Sequence, residues 1–245
     1  MGLFGRRKGG DQKVGFWLRV AVLLVKPFMS VMTKATWLGF EHIPLRGGAI
    51  LAANHISHAD PLLMAFYVYD AGRNPRFLGK ASVFKIPVLG PIIQATGQIP
   101  VHRGTSDAVK SLHSAIDAVK SGRAVIIYPE GTTTRSPELW PMRGKNGVAR
   151  LALETGAPVI PIAQWGPQDL YNPITKKVGL RPRRRCVVKA GPPVDLSAWE
   201  GVDPTAASLN EMTDTIMRAI AGLVGDLRGE TPPPLYDSVR KNNKA

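Results

Sequence analysis

Cysteine is nearly missing from this 245-residue chain. Cys186 is the single one, which excludes an intrachain disulfide and any zinc site built from several thiolates, and a reducing compartment is expected. It stands in CVVKA beside a basic run with no base near it in sequence, and reads as an inert strand residue. Acidic residues are scarce too, 18 against 32 Lys and Arg, and the resulting charge of +14 points to an anionic partner. Nucleic acid, anionic lipid and phosphorylated metabolites all satisfy that requirement. No RNP-type aromatic block, helix-turn-helix signature or zinc motif supports the first of them. Long apolar runs are also wanting. Arg19 and Lys26 bracket the apolar stretch Val20 to Val25, so no membrane-spanning helix is expected, and no small-residue cleavage site follows it. Arg6 stands where a myristoylation signal requires Ser or Thr.

What is present suggests a large α/β domain. The apolar share of 44% at this length allows one sizeable core. Near the start, Gln12, Arg19, Lys26 and Thr33 recur every seven residues and make one polar stripe. Phe16, Trp17, Val20, Leu23, Leu24, Phe28, Met29 and Met32 fill the rest of the circumference. Pro27 is expected to divide this segment into two helices. With Arg6, Arg7, Lys8 and Lys13 beside it, the segment is expected to lie in a bilayer interface; a core-packing helix is the alternative.

From residue 49 onward strand-like and helix-like segments alternate. Strands are predicted at Ala49 to Ala53, Arg76 to Gly79, Ile99 to His102, Ala124 to Tyr128, Val159 to Gln164 and Cys186 to Ala190. Helices are predicted at Pro61 to Asp70, Ser106 to Ser121, Gly144 to Glu154 and Leu209 to Leu227, with Gly122 and Gly156 as stops. The fold class is therefore a mixed central sheet flanked by helices, preceded by an amphipathic two-helix membrane-docking segment. Its parts are residues 1–38 for docking, 39–228 for the domain and 229–245 for a polar, Pro-rich flexible tail.

Three stretches carry the chemistry. In LAANHISHADPLL, Asp60 precedes Pro61 and is suited to open a helix, a capping role that leaves His55 unexplained. On a regular helix these two residues would point about 140° apart, so they meet only where strand gives way to helix. There the carboxylate can hold the Nδ1 proton and leave Nε2 free to accept another. This is two thirds of a Ser-His-Asp triad, with the nucleophile left to the substrate. His58 reads as a solvated or packing residue. In YPEGTTTRS, Gly131 and the threonines follow a strand and offer backbone N–H groups and hydroxyls to an oxyanion or phosphate, with Arg135 as a fixed charge. Glu130 reads either as a capping or ion-paired carboxylate or as one that orients basic groups or substrate hydroxyls. In GQIPVHRG, Arg103 ends a strand and could clamp a phosphate; Lys80 and Lys145 are similar. His55, His58 and Asp60 share one short segment with no partner block, so no metal is implied.

In this order the three blocks resemble the glycerophospholipid acyltransferase family, most closely its bacterial 1-acylglycerol-3-phosphate acyltransferases. The resemblance rests on Asn54, His55 and Asp60, then Gly97, Ile99, Val101 and Arg103, then Pro129, Glu130, Gly131 and Thr132. An apolar block around Pro161, in APVIPIAQWG, matches the family's acyl-donor region. GTTTRS departs from the family by two extra threonines before Arg135. The resemblance implies a His55–Asp60 general base and an acceptor phosphate held by Arg103, Glu130, Gly131, Thr132, Lys80 and Arg135. It also implies acyl-CoA or acyl-carrier protein as donor, and no cofactor. The acceptor is a lysophosphatidate, with glycerol 3-phosphate or another lysophospholipid as alternatives. The expected partner is an anionic phospholipid surface on the cytoplasmic face of the cell membrane, held peripherally or monotopically, and not nucleic acid. With no G-x-S-x-G elbow, no acyl-enzyme is expected. The rival readings are a lipid hydrolase using water as acceptor and a basic, non-enzymatic membrane or RNA-binding protein; Arg181 to Arg185 would suit a cationic face.

Overall fold

Strands whose side chains are apolar on both faces must be covered on both faces, and that requirement sets the architecture. The computed structural model describes residues 5–10, 12–87, 89–101, 107–179 and 181–237. In chain order the elements are α1 (Phe16–Met32), β1 (Thr33–Leu38), β2 (Ala49–Ala53), α2 (Asp60–Asp70), β3 (Arg76–Lys80), α3 (Leu89–Ala95) and β4 (Ile99–Val101). They continue with α4 (Asp107–Lys120), β5 (Ala124–Ile127), α5 (Gly147–Thr155), β6 (Val159–Trp165), β7 (Arg184–Ala190) and α6 (Ala206–Arg228). The strands form one mixed sheet in the order β1-β7-β6-β2-β5-β3-β4. β6 and β7 are antiparallel and every other neighbouring pair is parallel.

Every residue of β2, AILAA, and of β5, AVII, is buried. Alternate side chains leave on opposite faces. Ile50, Ala52, Val125 and Ile127 pack with α4, α5 and α6, whereas Ala49, Leu51, Ala53, Ala124 and Ile126 pack with Met64, Tyr67 and Val68 of α2. The six predicted strands and four predicted helices are all present, with shifted ends. α5 stops at Gly156, whose φ of 62° is a left-handed value that suits glycine.

The amino-terminal segment differs from the prediction. Residues 16–32 form one helix that runs through Pro27, and Thr33–Leu38 is an edge strand paired with β7. Val22 and Lys26 before the proline, and Met29 after it, are all buried on one face, so packing on both sides offsets the lost helix hydrogen bond. The helix is also turned inside out. Two members of the polar stripe, Lys26 and Thr33, face the domain, while Phe16, Leu23, Leu24, Phe28 and Val31 are each more than 60% exposed. Lys26 is ion-paired with Asp70 at the far end of α2, and the Trp37 indole N–H donates to the second oxygen of that carboxylate at 3.1 Å. Arg6 and Arg7, expected against headgroups, instead donate to the carbonyls of Gly72 and Phe40.

The tail is not wholly loose: Tyr236 bridges to Met142, and its carbonyl accepts the Arg143 N–H. Residues 238–245 lie outside the described residues. Cys186 is buried, with burial pushing its thiol up to about 12. Arg184 and Arg185 of the basic run open β7 rather than lying in a loop.

The Lys26–Asp70 pair is the polar fastening of α1, with side chains only 7% and 4% exposed. Lys26→Met strands the carboxylate and is expected to lower the unfolding free energy by about 3 kcal/mol in urea titrations. Adding Asp70→Asn, which still accepts from Trp37, should recover most of that loss. If the double variant is no more stable than the single one, the pair is not what fastens the helix.

Candidate active site

The carboxyl ends of β6, β2, β5, β3 and β4 open side by side on one edge of the sheet, the place where open α/β sheets bind ligands. β2 runs into Asn54 and His55, β5 into Tyr128, Pro129 and Glu130, and β6 ends on Gln164 and Trp165. Lys80 ends β3, exposed, and pairs in register with Val101. Arg103, two residues beyond Val101, lies outside the described residues together with His102 and Gly104.

His55 and Asp60 meet at the bend between β2 and α2. Asp60 Oδ2 is 2.9 Å from His55 Nδ1 and accepts the backbone N–H groups of Ile56 at 2.6 Å and Ser57 at 2.9 Å. Two of these groups can only donate, so Oδ2 is an acceptor and the Nδ1–H donates to it, which leaves Nε2 as the ring nitrogen that Asp60 does not engage. Asp60 is 0% exposed, whereas the His55 side chain keeps 15%. Burial raises the Asp60 pKa above the ordinary carboxylate range; the His55 ring and the Ser57 and Ile56 N–H groups pull it back. Asp60 does not cap α2 as expected: the cap position is Ala59, with no side-chain cap bond, and the Asp60 carboxylate instead closes on the imidazole and on the loop before the helix.

The second block holds the backbone of the first. Glu130 Oε1 accepts the His55 N–H at 2.9 Å, and Oε2 accepts the Met142 N–H at 3.0 Å. The Thr134 N–H donates to the His55 carbonyl at 2.7 Å. Both peptide groups of His55 are therefore tied to the loop that follows β5. Glu130 is 3% exposed, with both oxygens taken by backbone donors, so it is turned inward and not toward a phosphate as expected. Burial lifts its pKa to about 8, against the pull of the two N–H groups and with a further push from the Asp60 charge.

The extra threonines have a structural use. Thr134 is buried and donates its hydroxyl to the Trp140 carbonyl, and its Oγ1 accepts the Ser136 N–H. Anchoring Thr134 leaves Arg135 exposed at the rim, and Thr132 is half-buried. Gly131 has φ +70°, and a Cβ there would come within 3.2 Å of the Lys145 side chain, which lies across it. Pro161 is buried within β6, paired in register with Ala52. It sits three residues before Gln164, so about 10 Å back from the open edge, within the sheet.

Other side chains complete the site, and the parts that Gln164 and Tyr128 play in it escape sequence reasoning. Asn54 and Gln164 exchange three hydrogen bonds and lock the ends of β2 and β6 together. The Tyr128 ring is stacked on the imidazole, with centroids 4.3 Å apart. Exposed His58 stands 6.4 Å from the His55 ring and 5.1 Å from that of Tyr171. Ser57 donates its hydroxyl to the Tyr171 carbonyl, so it is no free nucleophile. Among the described residues no group of three His, Cys, Asp or Glu is placed to hold a metal ion.

A family model, Acyltransferase, matches residues 35–165, more than half of the chain. The chain belongs to the Acyltransferase family. The matched span of this acyltransferase-family protein runs from β1 to the end of β6 and contains His55, Asp60, Glu130 and Pro161. It is 31% identical over 130 residues to the chloroplastic 1-acyl-sn-glycerol-3-phosphate acyltransferase of Brassica napus, covering 52% of this chain and 36% of that protein. It is 29% identical over 134 residues to the 1-acyl-sn-glycerol-3-phosphate acyltransferase of Borreliella burgdorferi, covering 54% of this chain and 52% of the other. The chain thus spans about half or less of the length of these relatives. The crystal structure of the 1-acyl-sn-glycerophosphate (LPA) acyltransferase PlsC of Thermotoga maritima shares the fold, with a TM-score of 0.60 at 23% identity over 82% of this chain and 75% of that one.

The raised Glu130 pKa makes stability depend on pH. Between the ordinary carboxyl value and about 8 the folded protein keeps a proton that the unfolded chain has released. Stability should therefore fall as pH rises through that window, by up to roughly 1 kcal/mol per pH unit. Glu130→Gln cannot ionise and should flatten the slope in urea unfolding across the window, leaving the share due to Asp60 and Asp70, whose values burial also raises. An unchanged slope would mean that Glu130 is not held neutral by the fold.

Proposed function

We propose that this protein transfers a fatty acyl chain from acyl-CoA or acyl-carrier protein to the free hydroxyl of 1-acylglycerol 3-phosphate, giving phosphatidic acid. The observation that carries this reading is the His55 Nδ1–Asp60 Oδ2 contact of 2.9 Å, which occupies one ring nitrogen and supports a role for the other, Nε2, as the base. The His55 Nε2 takes the acceptor's hydroxyl proton as the oxygen attacks the thioester carbonyl, and Asp60 steadies the imidazolium that forms. Collapse of the tetrahedral intermediate expels the thiolate, which recovers the proton from the ring. Direct attack by the acceptor is favoured over an acyl-enzyme, because the Ser57 hydroxyl is committed to a carbonyl and the Cys186 thiol is buried with a raised pKa.

The acceptor's phosphate is assigned to the cations at the same edge. Lys80 ends β3 beside Val101 and Lys145 lies across Gly131; Arg103, expected to join them, lies outside the described residues. Arg135 stands at the rim. Glu130 and Thr134 serve the phosphate only indirectly, by holding the histidine's loop. Pro161 lies in the strand beneath the acyl-donor region that the resemblance assigns to it.

α1 is assigned to the membrane surface on the cytoplasmic side. Its outward residues Trp17, Leu24, Phe28 and Val31 are an unpartnered apolar face, and no helix among the described residues is long and apolar enough to cross a membrane. The surplus of cations favours anionic lipid, which is also the chemistry of both acceptor and product.

With palmitoyl-CoA and 1-acylglycerol 3-phosphate, His55→Ala should lower kcat by roughly 10²–10⁴-fold with substrate binding retained. Turnover of glycerol 3-phosphate alone would replace the acceptor named here. Fatty acid released without any lysolipid would make the protein a hydrolase, and full activity of His55→Ala would remove the dyad from the chemistry. On vesicles containing anionic phospholipid, Leu24→Glu with Phe28→Glu should abolish co-flotation while leaving the circular dichroism spectrum unchanged; undiminished flotation would place the docking surface elsewhere.

A further inference from the structure

A hydrogen bond to Nδ1 fixes one point of an imidazole and leaves the ring free to swing about the line through that bond. Something must lie on the face of the His55 ring if Nε2 is to keep one direction. The Tyr128 ring lies there: the centroids are 4.3 Å apart and the planes 19° from parallel. Behind it, on the side away from the histidine, is Phe77, 6.4 Å from Tyr128 at 21°.

We propose that Tyr128 is a positioning residue for His55, a flat aromatic backing that sets the plane of the imidazole and stabilises it as it takes up charge. This rests on reading His55 as the general base. The backing is built on strand ends. Tyr128 directly follows β5, and Phe77 lies on the adjoining β3, paired in register with Ile126. Neighbouring strands thus hold the two rings in a row, and the imidazole completes the row from the third strand, β2. The face of a phenol ring is electron-rich and attracts a planar cation laid against it, so the stack gains strength as the imidazole becomes imidazolium. That is the differential interaction that proton abstraction needs.

The hydroxyl has no part in this. It is buried facing the Gln164 amide without a hydrogen bond of regular geometry. Burial, with a lesser push from the Asp60 charge, holds the phenol well above its ordinary pKa, so it stays neutral and is no proton carrier for the reaction. A ring without the hydroxyl should therefore serve, and a side chain of similar bulk without a ring should not.

The test compares wild type, Tyr128→Phe, Tyr128→Leu and Tyr128→Met, each checked for the wild-type circular dichroism spectrum. In the substrate-free protein, the His55 ring protons should be shifted upfield by the stacked ring in wild type and Tyr128→Phe, and should move toward free-imidazole positions in the other two. Kinetically, the Leu and Met variants should lose about three- to tenfold in kcat, with KM for both substrates changed less than twofold, and Phe should restore the rate. Unchanged kcat in a folded Leu or Met variant overturns the proposal, as does a His55 signal that ignores the substitution. If wild-type protein transfers no acyl group, the general-base reading fails, and the ring-proton comparison alone decides whether Tyr128 orients the imidazole.

Discussion

A single carboxylate oxygen, Asp60 Oδ2, gathers the imidazole Nδ1 proton and the N–H groups of Ile56 and Ser57. Those two peptide groups belong to the turn that carries the chain from β2 into α2, so the atom that fixes the tautomer also fixes the bend. The coupling explains why Asp60 is wholly buried despite the cost of placing a charge there. Removing the carboxylate would release the ring and strand two backbone donors at once. The histidine's own peptide groups are then closed from the other side by Glu130 and Thr134, and its ring face by Tyr128. The ring and backbone of His55 are thus restrained from two directions, by the start of α2 and by the segment that follows β5.

The distribution of acids follows the same logic. In a chain with only 18 of them, Asp60, Asp70 and Glu130 are 3% exposed or less, and each accepts from at least two donors. They organise junctions: strand to helix, α2 to α1, loop to loop. Cations are mostly left at the surface, where their charge reaches an incoming anion. Among the described residues Lys26 and Arg73 are the buried exceptions; Arg73 spends its guanidinium on the carbonyls of Pro44, Gly47 and Gly122. A strongly positive protein can in this way keep an interior of ordinary chemistry.

The sequence shows the strands that line the core because a buried parallel strand is an apolar run bounded by turns, as AILAA and AVII are. It does not show β1, whose exposed and half-buried residues carry no such run and whose pairing with β7 joins residues some 150 positions apart. Nor does it foresee a helix through Pro27, because the packing that offsets the proline comes from other elements. At the site, the spacing from His55 to Asp60 is legible, since the pair is local and its geometry follows from one bend. Glu130 is legible as a motif residue but not in its role, because its partners, the N–H groups of His55 and Met142, belong to segments that only the sheet order brings together. Tyr128 leaves no local trace at all. A face-to-face contact between residues after β2 and β5 exists only once those strands are paired, with Ala52 beside Ile127.

α2 connects the candidate site to α1. Asp60, its first residue, holds the histidine, and Asp70, its last, holds Lys26 of α1. Between them Leu63 and Phe66 pack with Met29 of α1, and Met64, Tyr67 and Val68 pack on the sheet. Eleven residues at 1.5 Å each make a strut of about 16 Å. A strut gripped along both sides by packing and at both ends by a carboxylate does not bend or slide independently of what it touches. The bend that carries His55 and the helix α1 are therefore held at a fixed separation by a packed element and not by a flexible loop.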